Sequence, residues 1–438
     1  MTDLRLKKEI KITKMPYLTI PIIGILATFS VTFFMYFDFN IRMVYGYSLL
    51  CIFTFFYLCT IHFKIHLSKE KIIFFFLSII ISIFVFLGSS KEGTAEYAIG
   101  MNLCVLIAVV YEPQEEQYFN AMKIFYIFSV AFSIYSILTF IFPEVYLTFV
   151  KPIISEGSAT YNEELLRDGY GIALGANVVF IDYIIATGLI FSLNCLFVGK
   201  KIIKSKTLNI INMIICFLGM LCVNRKGELL AVLITFFFLY RNHMKQCNSR
   251  EKAKLRYILI ITIVFLTLAI AYMAQKGYLI RFYIFFNKII RNFSDERIDI
   301  TSGRIIIWKH ALNIFKKNPI LGIGWEHFFA KIPEHGIDTV KVHNNFIQLL
   351  CETGVIGFFV IATPMILLLI QAYYYMKNYS HNKQNKSIVR IGYTTSFGIQ
   401  FFFFILDFID PCIYKMSFWP IYTISIMSLI FAKTYERN

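Results

Sequence analysis

Charge is scarce in this chain. Asp, Glu, Lys and Arg make up 16% of its 438 residues, whereas 58% are hydrophobic, and mean hydropathy is +0.64. That composition excludes a soluble domain and places the chain in a bilayer. Alternation is missing too: the apolar stretches are continuous Phe, Ile and Leu runs, not ten-residue alternating strands, which excludes an outer-membrane barrel and predicts helices. Nine Cys occur without a CxxC pair or a His/Cys spacing suited to zinc, and most lie in apolar runs, as Cys51, Cys59, Cys104 and Cys216 do. Neither a metal site nor a disulfide framework is indicated, although Cys351 and Cys412 lie near one expected face and are placed to pair. The outer half of the chain has no Asp-x-Asp arrangement of the kind that holds magnesium. The first apolar run shows no small-residue cleavage site, so it reads as a helix that stays.

What is present is a series of about twelve apolar runs, each long enough to cross roughly 30 Å of hydrocarbon. They fall near 16–37, 42–62, 71–88, 95–111, 121–142, 171–198, 206–223, 227–240, 256–274, 354–376, 390–407 and 412–432. The eighth is short and reads as tilted or broken. The fold class is therefore all-α, a polytopic membrane protein. Residues 1–274 carry helices one to nine, 275–353 a loop subdomain outside the membrane, and 354–438 the last three helices.

Basic residues test that count. With the N-terminus inside, the inner segments hold Arg5, Lys7, Lys8, Lys11 and Lys14, then Lys64, Lys69 and Lys71, then Lys200, Lys201, Lys204 and Lys206. Later inner loops add Arg241, Lys245, Arg250, Lys252, Lys254 and Arg256, then Lys377, Lys383, Lys386 and Arg390. Outer loops hold few, among them Arg42, Lys91, Lys151, Arg167 and Lys415. Both termini are then cytoplasmic. The net charge of +16 is accounted for by loops facing anionic headgroups, and no nucleic-acid partner is expected.

Two outer segments exceed a turn. Residues 143–170 read as a polar, acidic loop. Residues 275–352 hold an interfacial stretch at Tyr278–Phe293, with Arg281, Lys288 and Arg291 among aromatics. A helix over Arg304–Lys317 follows, with Ile305, Trp308, Leu312 and Phe315 on its apolar face, ended by Asn318-Pro319. His343 then sits just before a new apolar run, a titratable imidazole at a membrane boundary. Arg225 and Arg304 occupy comparable positions, and the three read as one site. Each has a plainer reading. His343 can mark a helix boundary, Arg225 can snorkel or pair with Glu228, and Arg304 can be a solvated face. Gly303 beside Arg304 favours an anion there, while Gly354 and Gly357 suit close packing. Asp410-Pro411 reads as a helix cap.

The string Ser302-Gly303-Arg304 with Trp308, then Asn318-Pro319-Ile320-Leu321-Gly322-Ile323-Gly324, then His343-Asn344-x9-Gly354-x-x-Gly357, resembles the signature region of the O-antigen ligase and O-antigen polymerase superfamily. Asn224-Arg225-Lys226-Gly227 resembles the family's short Ser-Arg-Gly-like outer loop, with Asn224 in place of the small hydroxyl and Lys226 as an added charge. The resemblance implies a membrane glycosyltransferase, metal-independent and cofactor-free, acting at the outer side of the bacterial cytoplasmic membrane. It implies that His343 activates the acceptor hydroxyl and that Arg225 and Arg304 hold a donor diphosphate. Asn344 is a candidate substrate contact. Expected partners are polyprenyl-diphosphate-linked oligosaccharides as donor and acceptor, membrane lipids and a chain-length regulator. The leading expectation is a polymerase for O-antigen or capsular polysaccharide. Its alternatives are a ligase onto lipid A core and a transporter of the lipid-linked unit. The transporter lacks support, because the two halves show no matched internal repeat.

Overall fold

The computed structural model describes residues 65–88, 94–112, 114–154, 156–167, 170–172, 178–198, 206–223, 225–247, 303–328, 330–332, 337–378 and 386–437, with isolated positions in 51–55 and 249–271. The expected spans at 16–37, 42–62 and 256–274 lie wholly or mostly outside the described residues. So do the interfacial stretch Tyr278–Phe293, Asn224 and Ser302.

Helices α1 (Lys69–Gly88), α2 (Thr94–Val110), α3 (Glu115–Ile141), α4 (Pro143–Phe149) and α5 (Glu156–Arg167) come first. Then follow α6 (Val178–Val198), α7 (Lys206–Val223), α8 (Lys226–Gln246), α9 (Arg304–Lys317), α10 (Asn345–Asn378), α11 (Lys386–Leu406) and α12 (Phe418–Arg437). Among the described residues five helices are long and apolar enough to cross a membrane, namely α1, α3, α6, α10 and α11, and the apolar α2 and α7 are shorter. A two-stranded antiparallel hairpin, β1 (Ala330–Ile332) and β2 (Ile337–Val340), departs from the all-helical expectation between α9 and α10.

Three local expectations are corrected. The segment 143–170 is not a loop but carries α4 and α5. Pro143 cannot continue α3, Phe142 before it leaves helical geometry (φ −127°, ψ 80°), and Pro143 then opens α4 at its first turn. Helix α8 is neither short nor broken: it runs 21 residues, because polar Arg241, His243 and Lys245 continue it with basic groups at its C-terminus. Cys351 and Cys412 are both free and fully buried, each packed into a different apolar cluster, so they do not pair.

Helix α6 is enclosed almost throughout, as is much of α11, whereas α1, α3 and α10 turn most of their surface outward. The enclosing contacts run α3 to α6 and α7, α11 to α12 and α10, and α12 to α2. Ion pairs and backbone bonds bring Arg225, Asp182 near the start of α6, the start of α10 and the loop 407–415 together at one end of the bundle. The opposite end holds the Lys71–Glu112 and Lys433–Glu70 ion pairs.

Helix α10 is interrupted at Gly354 (φ 65°, ψ −170°), giving a short buried limb, 345–353, and a long membrane limb from Val355. An interruption orphans backbone groups, which in a membrane must be answered by protein. Here the turning passage 319–324, with left-handed Gly322 and Gly324, answers them. Ile323 and Gly324 donate N–H to the Cys351 and Glu352 carbonyls (3.1 and 2.8 Å), while Val355 and Ile356 donate to the Pro319 and Ile320 carbonyls (2.8 and 3.3 Å). The approach leaves no room for a side chain: a Cβ on Gly354 would lie 2.2 Å from the Ile320 oxygen, and one on Gly322 2.3 Å from the Glu352 carbonyl carbon.

Candidate functional site

Arg304 opens α9 behind Gly303, whose left-handed φ of 81° turns the chain into the helix. The face that docks α9 differs from the one expected. Ile307 and Ala311 are buried with Trp308 and Ile314 beside them, whereas Ile305 and Leu312 remain exposed. Two apolar registers overlap in this helix, and packing on Phe328, Val342 and Cys351 selects the first. Trp308 Nε1 also donates to the Val342 carbonyl at 2.9 Å, which fixes the residue just before His343 to the helix that carries Arg304.

His343 itself adopts φ 54°, a left-handed geometry that His tolerates better than most residues. Asn344 then starts α10. Its Oδ1 accepts from Ile347 N–H at 3.0 Å, the N-cap bond, and its Nδ2 donates to the Phe408 carbonyl at 3.1 Å. Asn345 N–H donates to the Asp407 carbonyl at 2.7 Å. Both ends of the Asn344 amide are thus engaged within the chain, and a substrate contact there would displace one of these bonds.

The loop after α11 faces His343 with Asp410 and Lys415, which pair with each other. Asp410 is not a helix cap: the 3-10 turn that follows is led by Pro411 with no side-chain cap, and the carboxylate instead turns to the cations. Arg225 lies 3.8 Å from Asp410, 4.0 Å from Asp182 and 2.8 Å from Glu228. The local pair with Glu228 is therefore real, and it is one of three.

The three separated groups meet in one electrostatic neighbourhood. Burial pulls the His343 imidazole below its ordinary range, and Arg304, Lys415 and Arg225 reinforce that against the opposing Asp410. The imidazole is consequently neutral near pH 7. Burial would raise the Asp410 carboxyl, but Lys415, Arg225 and His343 outweigh it and hold it below the usual range. Burial likewise works against the Arg225 charge, and Glu228, Asp182 and Asp410 more than restore it. Three cations (Arg225, Arg304, Lys415) thus stand against three carboxylates (Asp182, Glu228, Asp410). Among the described residues Arg304 forms no ion pair, so it is the half-buried cation open to an external anion. No group of His, Cys, Asp and Glu among the described residues has metal-holding geometry.

Asp182, Asp410 and Lys415 carried little weight in the sequence. Asp182 had the clearest signal, a carboxylate inside an apolar run. Glu352 gave none. Wholly buried, it accepts from the Glu326 and Phe328 N–H groups (2.8 and 3.3 Å) and from Gln348 Nε2 (3.1 Å), and so ties the turn after Gly324 to the short limb of α10. Trp325, in that turn, stacks on Tyr414 with ring centroids 4.2 Å apart.

These features define a class: a helical membrane protein with a neutral imidazole and clustered guanidinium groups at one end of its bundle. Residues 211–362 match the family described as O-Antigen ligase, which supports the O-antigen ligase and polymerase superfamily and a function of that type. No curated protein matches the chain. The matched stretch contains Arg225, Arg304 and His343.

Proposed function

We propose that the protein is a polysaccharide polymerase that moves a polyprenyl-diphosphate-linked glycan onto a lipid-linked repeat unit at the outer face of the bacterial cytoplasmic membrane. The observation that carries this reading is the convergence of His343, Arg304 and Arg225, which are far apart in the chain and close at one end of the bundle. The acceptor hydroxyl loses its proton to His343 as its oxygen bonds to the anomeric carbon. The bond from that carbon to the diphosphate oxygen breaks, and the electron pair leaves on the diphosphate. Negative charge grows on the departing oxygen, where a fixed guanidinium is most effective. Arg304 is the better placed to meet it. Arg225, already surrounded by carboxylates, serves to hold the loop and to stiffen the site. Attack by one activated hydroxyl gives inversion at the anomeric carbon.

The ligase reading shares this donor chemistry and is favoured by the description of the matched family. It differs in the acceptor, lipid A core in place of a repeat unit.

The test supplies purified protein with a synthetic diphosphate-linked repeat unit and follows product length. A ladder that persists in EDTA and falls by about 10²- to 10⁴-fold in His343→Ala is expected. An undiminished ladder in that variant would remove the base. Offering lipid A core in parallel separates ligase from polymerase.

A further inference from the structure

Glu352, near the end of the short limb of α10, is fully buried, and among the described residues no cation pairs with it. A buried carboxylate is costly unless its oxygens are answered. Here both are: Oε2 accepts from the Glu326 N–H, and Oε1 from the Phe328 N–H and from Gln348 Nε2. The requirement is one of chemistry as well as shape. A carboxylate accepts at both oxygens, whereas the amide of the same size would set an NH2 group against a backbone N–H. Glu326 takes a left-handed φ of 58° as its N–H meets Oε2, a geometry that a residue with a side chain keeps only where its surroundings impose it.

What this turn touches gives the carboxylate its reach. Phe328 packs with Ile307 and Val342 in one apolar cluster, and Val342 is the residue before His343. Glu326 pairs with Lys341, one residue earlier still, at 3.5 Å. On the other side Trp325 stacks on Tyr414, whose hydroxyl faces the Glu352 carboxylate and whose neighbour Lys415 pairs with Asp410. The turn 325–328 therefore stands between the segment that carries His343 and the loop that carries Asp410 and Lys415. Glu352 is the side chain that holds the turn.

We infer that Glu352 is a positioning residue: through the turn 325–328 it sets where the His343 imidazole stands relative to Asp410 and Lys415, without touching substrate. The inference rests on the proposed function and adds to it a residue outside the site. A reacting group displaced by about 1 Å loses about 10²-fold in rate, so a clamp of this kind acts on turnover. Donor binding is a separate matter, because Arg304 is set by the first turn of α9 and the left-handed Gly303 before it.

The experiment compares the full-length protein in nanodiscs with Glu352→Gln and Glu352→Asp. Hydrogen exchange is read at the Glu326 and Phe328 amides, and kcat and donor KM in the repeat-unit assay. Glu352→Gln is expected to speed exchange at both amides about tenfold and to lower kcat by about 10²-fold with donor KM little changed. Glu352→Asp keeps two acceptor oxygens and should turn over faster than Glu352→Gln. Phe328→Leu loosens the same arm at Val342 without altering the carboxylate, so it answers for a Glu352→Gln chain that does not accumulate, and it too should lose kcat and keep donor KM. Unchanged exchange, unchanged kcat, a loss carried wholly by donor KM, or Glu352→Asp no faster than Glu352→Gln would overturn the positioning role while the transfer reading stands on the wild-type ladder. A wild-type protein that elongates neither repeat unit nor lipid A core would overturn both.

Discussion

His343 is asked to be a base beside three cations, and that company fixes its titration. With its proton lost below the ordinary value of 6.5, the neutral form persists into mildly acidic solution, so the acid limb of kcat/KM for glycan transfer is expected below pH 6.5. Arg304→Gln removes a repelling charge. It should move that limb upward towards 6.5 and also raise KM for the donor, and a pH profile of both variants checks the sign. A limb that stays put would detach Arg304 from His343. Gly354 makes a different demand: φ of 65° and a contact that excludes a Cβ. Gly354→Ala is expected to cost more than about 2 kcal/mol, read as a lowered thermal midpoint in detergent.

At the scale of elements, Trp308 and its bond to Val342 join α9 to the start of α10. Trp308→Phe keeps the ring and loses the donor, so a modest loss of about 1 kcal/mol is expected, with transfer reduced more than stability because His343 follows Val342 directly. Thermal melting and turnover measured on the same preparation separate the two. Helix α9 was legible in sequence to its ends, since Gly303 and Asn318-Pro319 punctuate it by backbone geometry alone. Its buried face was not, because Ile305–Leu312 and Ile307–Ala311 are both apolar pairs at helical spacing and only tertiary packing chooses between them. The break in α10 falls at Gly354, where the tenth apolar run was expected to begin, but the helical limb 345–353 before it was read as loop. Gly354 was read as a glycine for close packing, and its left-handed geometry shows only once the passage 319–324 is laid against it. The length of α8 was misjudged from hydropathy, which does not see a helix continuing into charged residues.

Across the whole molecule, helix packing brings Asp182, Arg225, His343, Asp410 and Lys415 to one end, and Lys71, Glu112, Lys433 and Glu70 to the other. We predict that the first group faces outward. A membrane-impermeant maleimide added to intact spheroplasts should modify Lys415→Cys and spare Lys245→Cys, and the reverse pattern would invert the topology. The meeting of Arg225 with Asp182 and Asp410 could not be read from the chain, because the pairing depends on which helices are neighbours; the grouping of the imidazole with the two guanidinium groups was an expectation drawn from His343 at a membrane boundary, Arg225 between two apolar runs and Arg304 inside the outer insertion.

The passage 319–324 and the bend at 351–356 complete each other's backbone like two halves of a clasp. Anyone building chimaeras with a related sequence should therefore exchange both stretches together as a single cassette. A graft that carries one without its mate, or alters the residue count between Asn318 and Gly324, is expected to yield a protein that fails to accumulate in the membrane.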